Sequence, residues 1–511
     1  MVTEKKNFKS ALQKTWKIVS YSSGYGLGGG VTQVFTLYYM SFLTFAMGLN
    51  PLAAGAVVAV GKIWDGFVDP MMGLIVDRTH TKLGSCRPWF LAAAIPVFIT
   101  YFMLWYPFGI SGETGRFFYF LAAQILFSTA FSMGMVPYEA ILPKITDSYG
   151  ERTNYSSVRM VFSGLFSVGG NYVYQLLIPA ETAAEYAGMS GNFFKLGLIL
   201  GAVFAIPLLV TFAGTKEKIP PLQTLEKPKE TLKSVFKTYG ELLRCKLFKK
   251  CFLLTVLGSF IYYAVSVSLV TFVLLVYTNT AYEISFWTFS FSMTLSFLVV
   301  NIRDAFEMSF FIPNVLMMKK RNKHRPFLVD LPLLAIGSLI VFFITPDAGI
   351  IFYFIAVAFI GAGVSCLNFV PNSLMPDLAD VDELVSGIRR EGANAGLVSL
   401  GRQVAQGAAF LVCGAALFAF GLSDETAATP EKATALSLAS LKIMLCVIPV
   451  IGGAVMFAIS KTYGLTPETH ALIKTKIQEK RTAGQTALSP SDKHTFSSVT
   501  GLPADDLWIS K

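Results

Sequence analysis

From Ile18 to Gly61 the chain carries no charged residue. One bilayer crossing takes about 20 apolar residues, so this run holds two, with Gly48-Leu49-Asn50-Pro51 as the turn between them. In lipid every backbone N–H and C=O must be satisfied within the segment, and a continuous apolar run of this length does that as a helix. Composition agrees: 53% of the 511 residues are hydrophobic and 14% charged, where a soluble domain carries about a quarter charged residues. The expectation is an all-α membrane protein. The second crossing ends at Asp77, and further crossings are expected at 88–109, 116–142, 158–180, 194–214, 251–277, 297–318, 326–345, 349–375, 393–420 and 437–460, twelve transmembrane helices in two six-helix halves.

The net charge of +10 could suggest nucleic acid, but the Lys and Arg residues sit in short segments between apolar runs. That is the positive-inside pattern, and it assigns the basicity to topology in a lipid bilayer with no nucleic-acid partner. Residues 1–17 read as a cytoplasmic N-terminal tail, 18–214 as the first half, 215–250 as a basic cytoplasmic linker, 251–460 as the second half and 461–511 as a cytoplasmic tail. Within that tail a helical patch is expected near Pro467 to Arg481, followed by a disordered Ser/Thr/Pro/Gly-rich end. The aromatic stretch 278–296 lies between two basic segments on the same side, so it is expected as an interfacial helix rather than a thirteenth crossing.

The two halves repeat one another. Arg87-Pro88 and Arg325-Pro326 close matching loops, and Val136-Pro137 through Asp147 matches Val370-Pro371 through Asp380 at nearly the same displacement. Parallel six-helix repeats with a substrate site between them at mid-depth are the plan of a secondary transporter.

The second crossing holds three ionisable residues, Lys62, Asp65 and Asp69. Spaced three and four apart, they share one helical face. Each such charge at a bilayer centre costs about 2.5–3.5 kcal/mol, which marks the group as a candidate site. Two carboxylates on one face offer hard oxygens to Na⁺ or protonatable groups to H⁺. Lys62 either neutralises Asp65 within that site or forms a structural ion pair. Arg303, Asp304 and Glu307 form a second cluster, expected as an internal ion pair.

At Ile63-Trp64-Asp65-Gly66-Phe67-Val68-Asp69-Pro70, the Arg87-Pro88 loop, Pro137-Tyr138-Glu139 through Pro143, Glu151-Arg152, Arg159 and Gly387 through Gly392, the chain resembles the glycoside-pentoside-hexuronide cation symporters of the major facilitator superfamily, the family of the melibiose carrier. The resemblance implies a cation site at Asp65, Asp69 and Ser132. It departs at Val68, where the melibiose carrier has Asn between the two aspartates, which favours H⁺ over Na⁺ slightly. It departs again at Gly29 and Met135, where galactoside carriers have the carboxylates that hold the sugar. Glu139 is then either a replacement acceptor for sugar hydroxyls or a cap near the end of its helix. Arg159 matches a sugar-contacting arginine or snorkels to the interface, and Arg402 stands where the family has a cavity-facing lysine. Two arginines without two carboxylates favour an acidic sugar such as a uronide. Tyr25 and Trp64 are candidates for stacking on a sugar ring. Asp77, Arg87, Arg152, Arg390 and Glu391, at helix ends, are candidates for the ion pairs that bias which face is open.

The expected function is a symporter in the cell membrane that imports a glycoside with H⁺ or Na⁺ by alternating access. A Na⁺-coupled lysophospholipid carrier of the same superfamily, or a sensor or scaffold without transport, are the alternatives. Gly24-Tyr25-Gly26-Leu27-Gly28-Gly29 fits a dinucleotide pattern but follows no strand, so helix packing explains it better. The chain has no GxxxxGK[ST] or HExxH, and its six cysteines show no paired spacing. Neither an enzyme, a cofactor nor a metal site other than one for Na⁺ is expected.

Overall fold

The computed structural model describes residues 2–146, 149–179, 183–217, 232–277, 281–286, 289–320, 322–345, 349–419, 435–483 and 488–510. Its helices are α1 (Val2–Ser23), α2 (Tyr25–Ser41), α3 (Pro51–Arg78), α4 (Arg87–Trp105), α5 (Glu113–Ile145), α6 (Tyr149–Leu177), α7 (Ala183–Gly188), α8 (Ser190–Gly214) and α9 (Leu232–Leu242). After these come α10 (Lys246–Val276), α11 (Leu295–Lys320), α12 (Arg325–Phe343), α13 (Ile350–Ser386), α14 (Glu391–Ala419), α15 (Ala435–Lys442), α16 (Ile448–Lys461), α17 (Pro467–Ala483) and α18 (Pro490–Thr500). Two π-helical turns, Phe42–Ala46 and Ile443–Val447, extend α2 and join α15 to α16.

Among the described residues, nine helical runs have the length and hydropathy to cross a membrane: α3, α4, α5, α8, α10, α12, α13, α14 and the stretch Leu438–Lys461. Helices α2, α6 and α11 stand at the other three expected crossings: α2 is shorter, at 17 residues before its π-helical extension, and α6 and α11 are more polar. The internal repeat has a local structural counterpart. Arg87-Pro88 and Arg325-Pro326 each open a helix of 19 residues with the proline in its first turn, where a missing N–H costs nothing.

The structure divides into two compact units, one of Met1–Lys229, Val270–Leu298 and Phe410–Leu438, the other of Glu230–Leu269, Val299–Ala409 and Ala439–Lys511. In the first, α2 packs on α6 and α8, and α5 packs on α3 and α4. A glycine row lets α2 approach: a Cβ on Gly26 would lie 2.7 Å from the Phe166 ring, and one on Gly29 would collide with Ser163. The Gly-rich motif is thus a packing surface. In the second unit α12 packs along α13 and α16, with Gly337 of α12 against the Ala356 carbonyl of α13.

Two expectations are overturned. Residues 281–294 are not an interfacial helix: Ala281–Phe286 (β1) and Phe289–Thr294 (β2) pair antiparallel, with Ala281 opposite Thr294 and Phe286 opposite Phe289. The physical reason is visible in Tyr282, Ile284 and Phe286, apolar residues at a period of two and of the β-branched or aromatic kind. The end of the chain is not disordered either. Ser489 and Asp492 form a capping box that starts α18, and Gly501 at φ 73 ends it. The last turns then fold back, with Ile509 buried, and the buried Lys480 of α17 donates to the carbonyls of Trp508 (2.7 Å) and Ile509 (3.2 Å). The Trp508 ring lies against Gly387, which ends α13 in the left-handed region at φ 74.

Because a side chain at Gly387 meets both the φ penalty and the Trp508 ring, Gly387→Ala is expected to loosen the tail. Hydrogen exchange across 488–510 should speed up in the variant, while the helices of the first unit keep parent rates.

Candidate functional site

Helix α3 begins because Asn50 caps it, its side-chain oxygen accepting from the Ala53 N–H at 2.8 Å with Pro51 next in line. From that start the three ionisable residues land on the sides of α3 away from its exposed apolar stripe of Val60, Ile63, Phe67, Met71 and Ile75. Asp65 is 5% exposed. The Lys62 ammonium donates to its Oδ2 at 3.0 Å, and Lys62 also stands 5.5 Å from the Phe35 ring centre on α2. The other oxygen, Oδ1, is buried with no hydrogen-bond partner among the described residues. One turn on, Asp69 Oδ1 accepts from the Ser132 hydroxyl of α5 at 2.5 Å. Asp65, Asp69 and Ser132 therefore lie on the packed α3 and α5 helices, with Lys62 beside them. Trp64 does not join them: it lies at the edge of the exposed stripe, its indole N–H donating to Thr129 at 3.0 Å.

A second cluster forms two turns along α5. Arg159 of α6 donates to Glu139 at 2.8 Å and lies 4.4 Å from the Tyr25 ring centre. Tyr138 stacks on Tyr21 at 4.9 Å and leans on Tyr25 at 5.8 Å, while Tyr155 meets Tyr21 edge-on. Glu139, Arg159 and Tyr25 come together as expected candidates, and Tyr21, Tyr138 and Tyr155 complete an aromatic box that the sequence reading passed over. Tyr21 and Tyr25 stand four apart on adjoining helical turns, the spacing that could have revealed it. Met135 and Gly29 leave no carboxylate there: Gly29 abuts Ser163, and the Met135 methyl fills the space beside Gly28.

Arg402 of α14 is exposed and has no ion-pair partner among the described residues. The displacement that carries Arg87-Pro88 onto Arg325-Pro326 also carries Asp65 onto Arg303 and Asp69 onto Glu307. Arg303 is 1% exposed, paired with Asp304 at 2.5 Å and donating to Ser266 at 2.6 Å. At the repeat of the carboxylate site, the second half thus holds a tethered cation.

The helix ends gather the remaining charges. Arg390 donates to Asp382 through Nη2 and Nε, at 2.7 and 3.1 Å, and through Nη1 to Glu241 of α9 at 2.7 Å. Hydrogen bonding to Asp382, opposed by burial and reinforced by Glu241, raises its guanidinium above the ordinary arginine value. Glu391 pairs with Arg389 (2.6 Å) rather than with Arg390, and Arg389 also reaches Asp380 at 2.7 Å. His470 and Arg481 of α17 bind Asp380 and Glu383, and Lys323 binds Asp377. Among the described residues Arg87 has no carboxylate on its guanidinium: it donates to the Phe212 carbonyl at 2.8 Å. The carboxylate at this corner is Glu217, which accepts from the backbone N–H groups of Ser85, Cys86 and Arg87 at 2.8–3.0 Å and so neutralises the start of α4. No spacing rule links residues this far apart, so the sequence could not flag it. Asp77 is exposed without an ion pair among the described residues. The Arg152 side chain and Asp147 lie outside the described residues.

Removing one partner of a buried ion pair leaves an uncompensated charge, at a cost of about 3–5 kcal/mol. Lys62→Met is accordingly expected to lower the melting temperature of the purified protein sharply, and Lys62→Met combined with Asp65→Asn to recover most of the loss. A double variant no more stable than Lys62→Met alone would show that the two side chains do not act as a pair.

Comparison with known proteins places this geometry. The family model for MFS/sugar transport proteins matches residues 20–467. The chain is similar to the uncharacterized symporter YjmB of Bacillus subtilis, at 24% identity over 90% of this chain and 95% of that protein. It is 27% identical to the isoprimeverose transporter of Lactiplantibacillus pentosus over 37% of this chain and 39% of the transporter. It is 30% identical to the sodium-dependent lysophosphatidylcholine symporter 1-A of Danio rerio over 32% of this chain and 31% of the symporter. Several of the curated relatives, the last two among them, are matched over less than half of their own length. In fold, the chain is similar to the crystal structure of the nucleoside transporter NupG, with a TM-score of 0.57 over 88% of this chain and 98% of that one at 12% identity. Matched by the family model along most of its length, the chain belongs to the MFS/sugar transport protein family: it is a membrane transporter of the major facilitator fold and not an enzyme.

Proposed function

We propose that the protein is a cation-coupled symporter that carries a glycoside into the cell by alternating access of two six-helix halves, 18–214 and 251–460, with both termini cytoplasmic. The observation that carries this reading is the α3–α5 carboxylate site. Asp65 keeps one buried oxygen without a hydrogen-bond partner among the described residues, and Asp69 one turn away is held by Ser132. Two carboxylates and a hydroxyl are a hard-oxygen set that a Na⁺ ion or a proton would complete. One cation falling through 100 mV releases about 2.3 kcal/mol, close to fiftyfold accumulation of a neutral solute. Helix α5 links cation to cargo: it carries Ser132 and, about 10 Å further along its axis, the Tyr138–Glu139 part of the aromatic box. The box, closed by Tyr21, Tyr25 and Arg159, has the flat faces and the carboxylate that suit a sugar ring and its hydroxyls.

Arg159 already carries a carboxylate, Glu139, so the preference for an acidic sugar rests on Arg402. A guanidinium with no ion-pair partner among the described residues can hold a uronide carboxylate through two parallel hydrogen bonds. The match to a lysophosphatidylcholine symporter supports a second reading, in which the cargo is a lysolipid driven by Na⁺. A sensor or scaffold without transport has no use for the α3 carboxylates.

Proteoliposomes with an imposed Na⁺ or H⁺ gradient separate these readings. A neutral glycoside or a glucuronide is expected to accumulate with one of the two cations. Asp65→Asn should abolish accumulation, and Ser132→Ala should raise the cation concentration needed for half-maximal uptake about tenfold. Arg402→Ala should abolish glucuronide uptake and spare a neutral glycoside. Accumulation of a lysolipid that glycosides do not displace would replace the sugar reading, and parent-level uptake by Asp65→Asn would remove the cation site.

A further inference from the structure

The second unit buries a carboxylate that no step above uses. Asp330, two turns into α12, is fully buried, as are Asn314 of α11 and Ser365 of α13 at 1% and 4% exposure. The Asn314 amide donates to Asp330 Oδ2 at 2.7 Å and lies 3.3 Å from the Ser365 hydroxyl. Two acceptors are left over: Asp330 Oδ1 and Asn314 Oδ1 are buried with no hydrogen-bond partner among the described residues. No cationic side chain among those residues lies within ion-pair distance of Asp330. The surroundings cannot relax to let solvent in easily, because α12 and α13 touch through glycine: a Cβ on Gly363 would collide with the Leu334 backbone. Nor does the fold require a charge here. Under the internal repeat Asp330 falls on Ala92 and Asn314 on Val76.

From this geometry we propose that Asp330, with Asn314 and Ser365, is a second protonation site of the protein, in the C-terminal helices, which takes up and releases one proton. A buried ionised carboxylate with a single neutral donor is poorly compensated. A proton taken from water onto Oδ1 makes the group a neutral acid and gives the cluster the donor that its orphaned acceptors lack. Losing that proton to water restores the carboxylate, still held at Oδ2 by the Asn314 amide, with no other bond made or broken. The titratable group that faces it from α13 is the buried Cys366 thiol, which the Glu307 carboxyl of α11 faces as well; on its own helix, His324 and Arg325 stand at the start of α12. His324 packs against Tyr463, which follows α16. Protonation itself is independent of the symporter reading; its use in transport rests on that reading.

Infrared spectroscopy of the purified full chain in nanodiscs tests the proposal, by following the protonated-carboxyl stretch through a pH titration in choline chloride. The parent is expected to show a band that fades as pH rises and is missing from Asp330→Asn, while Asp65→Asn and Asp69→Asn retain it. Asn314→Ala removes the side-chain donor to the carboxylate, which disfavours the charged form, so its midpoint should move to higher pH by about one unit. That variant keeps the test open if Asp330→Asn does not fold. A parent spectrum identical to that of folded Asp330→Asn, or a band unchanged at every pH, overturns the proposal. Loss of the band on exchanging choline for Na⁺ at constant pH overturns it in favour of a Na⁺ site. In proteoliposomes Asp330→Asn should then uncouple uptake from the pH gradient. Failure of the parent to transport would count against the symporter reading and leave the infrared result standing.

Discussion

A charge placed inside an apolar helix bundle has to be neutralised where it stands, and much of this structure follows from how that is done. At the Lys62–Asp65 pair the neutralising group comes from the same helix, one turn away. At Arg303 it comes from the neighbouring residue Asp304, helped by the Ser266 hydroxyl and the face of Tyr262. At Asp330 the described residues supply a side-chain amide and no cation. Each charge in a crossing segment costs about 2.5–3.5 kcal/mol against a domain stability of about 5–15 kcal/mol, so no such group is neutral ballast. The repeat makes the asymmetry plain: where one half has Asp65 and Asp69, the other has Arg303 and Glu307. A tethered guanidinium solves the electrostatic problem permanently, and a carboxylate pair leaves it open to a cation that can come and go.

At the helix ends, where water competes, the same chemistry is weaker and is used in numbers. Single exposed ion pairs contribute about 0–1 kcal/mol. At the end of α13 four carboxylates, Asp377, Asp380, Asp382 and Glu383, are nonetheless buried. They are met by Lys323, Arg389, Arg390, His470 and Arg481, which come from three separate segments. The collective result is positional. It ties the linker helix α9 through Glu241 and the tail helix α17 to one corner, and the Trp508 ring over Gly387 closes it.

Much of this was legible in the sequence because hydrophobic length and charge cost are local quantities. The charge-free run from Ile18 to Gly61, the Arg-Pro pairs opening α4 and α12, and the three-and-four spacing of Lys62, Asp65 and Asp69 each act within a few residues, so reading them needs no tertiary knowledge. The hairpin at 281–294 has a local signal too, the period of two in Tyr282, Ile284 and Phe286, but the expectation there considered only an interfacial helix or a thirteenth crossing. The ordered tail could not be read from composition: Ser489, Asp492 and Gly501 are turn-formers in any loop, and they become caps only because Lys480 and the α13 corner hold the segment down.

What the sequence by itself determined is therefore the class of molecule, its repeat and the presence of carboxylates that must be neutralised in the membrane. Only the tertiary structure decided their partners. It set Ser132 against Asp69, drew Tyr21, Tyr138 and Tyr155 into a box with Arg159, brought Glu217 to the start of α4, turned Trp64 to the exposed stripe and set Asn314 against Asp330. Those outcomes depend on which helix faces which. Helix pairing is fixed by the summed packing of apolar and glycine surfaces across the bundle, in which no single residue's spacing reveals the neighbour it will meet.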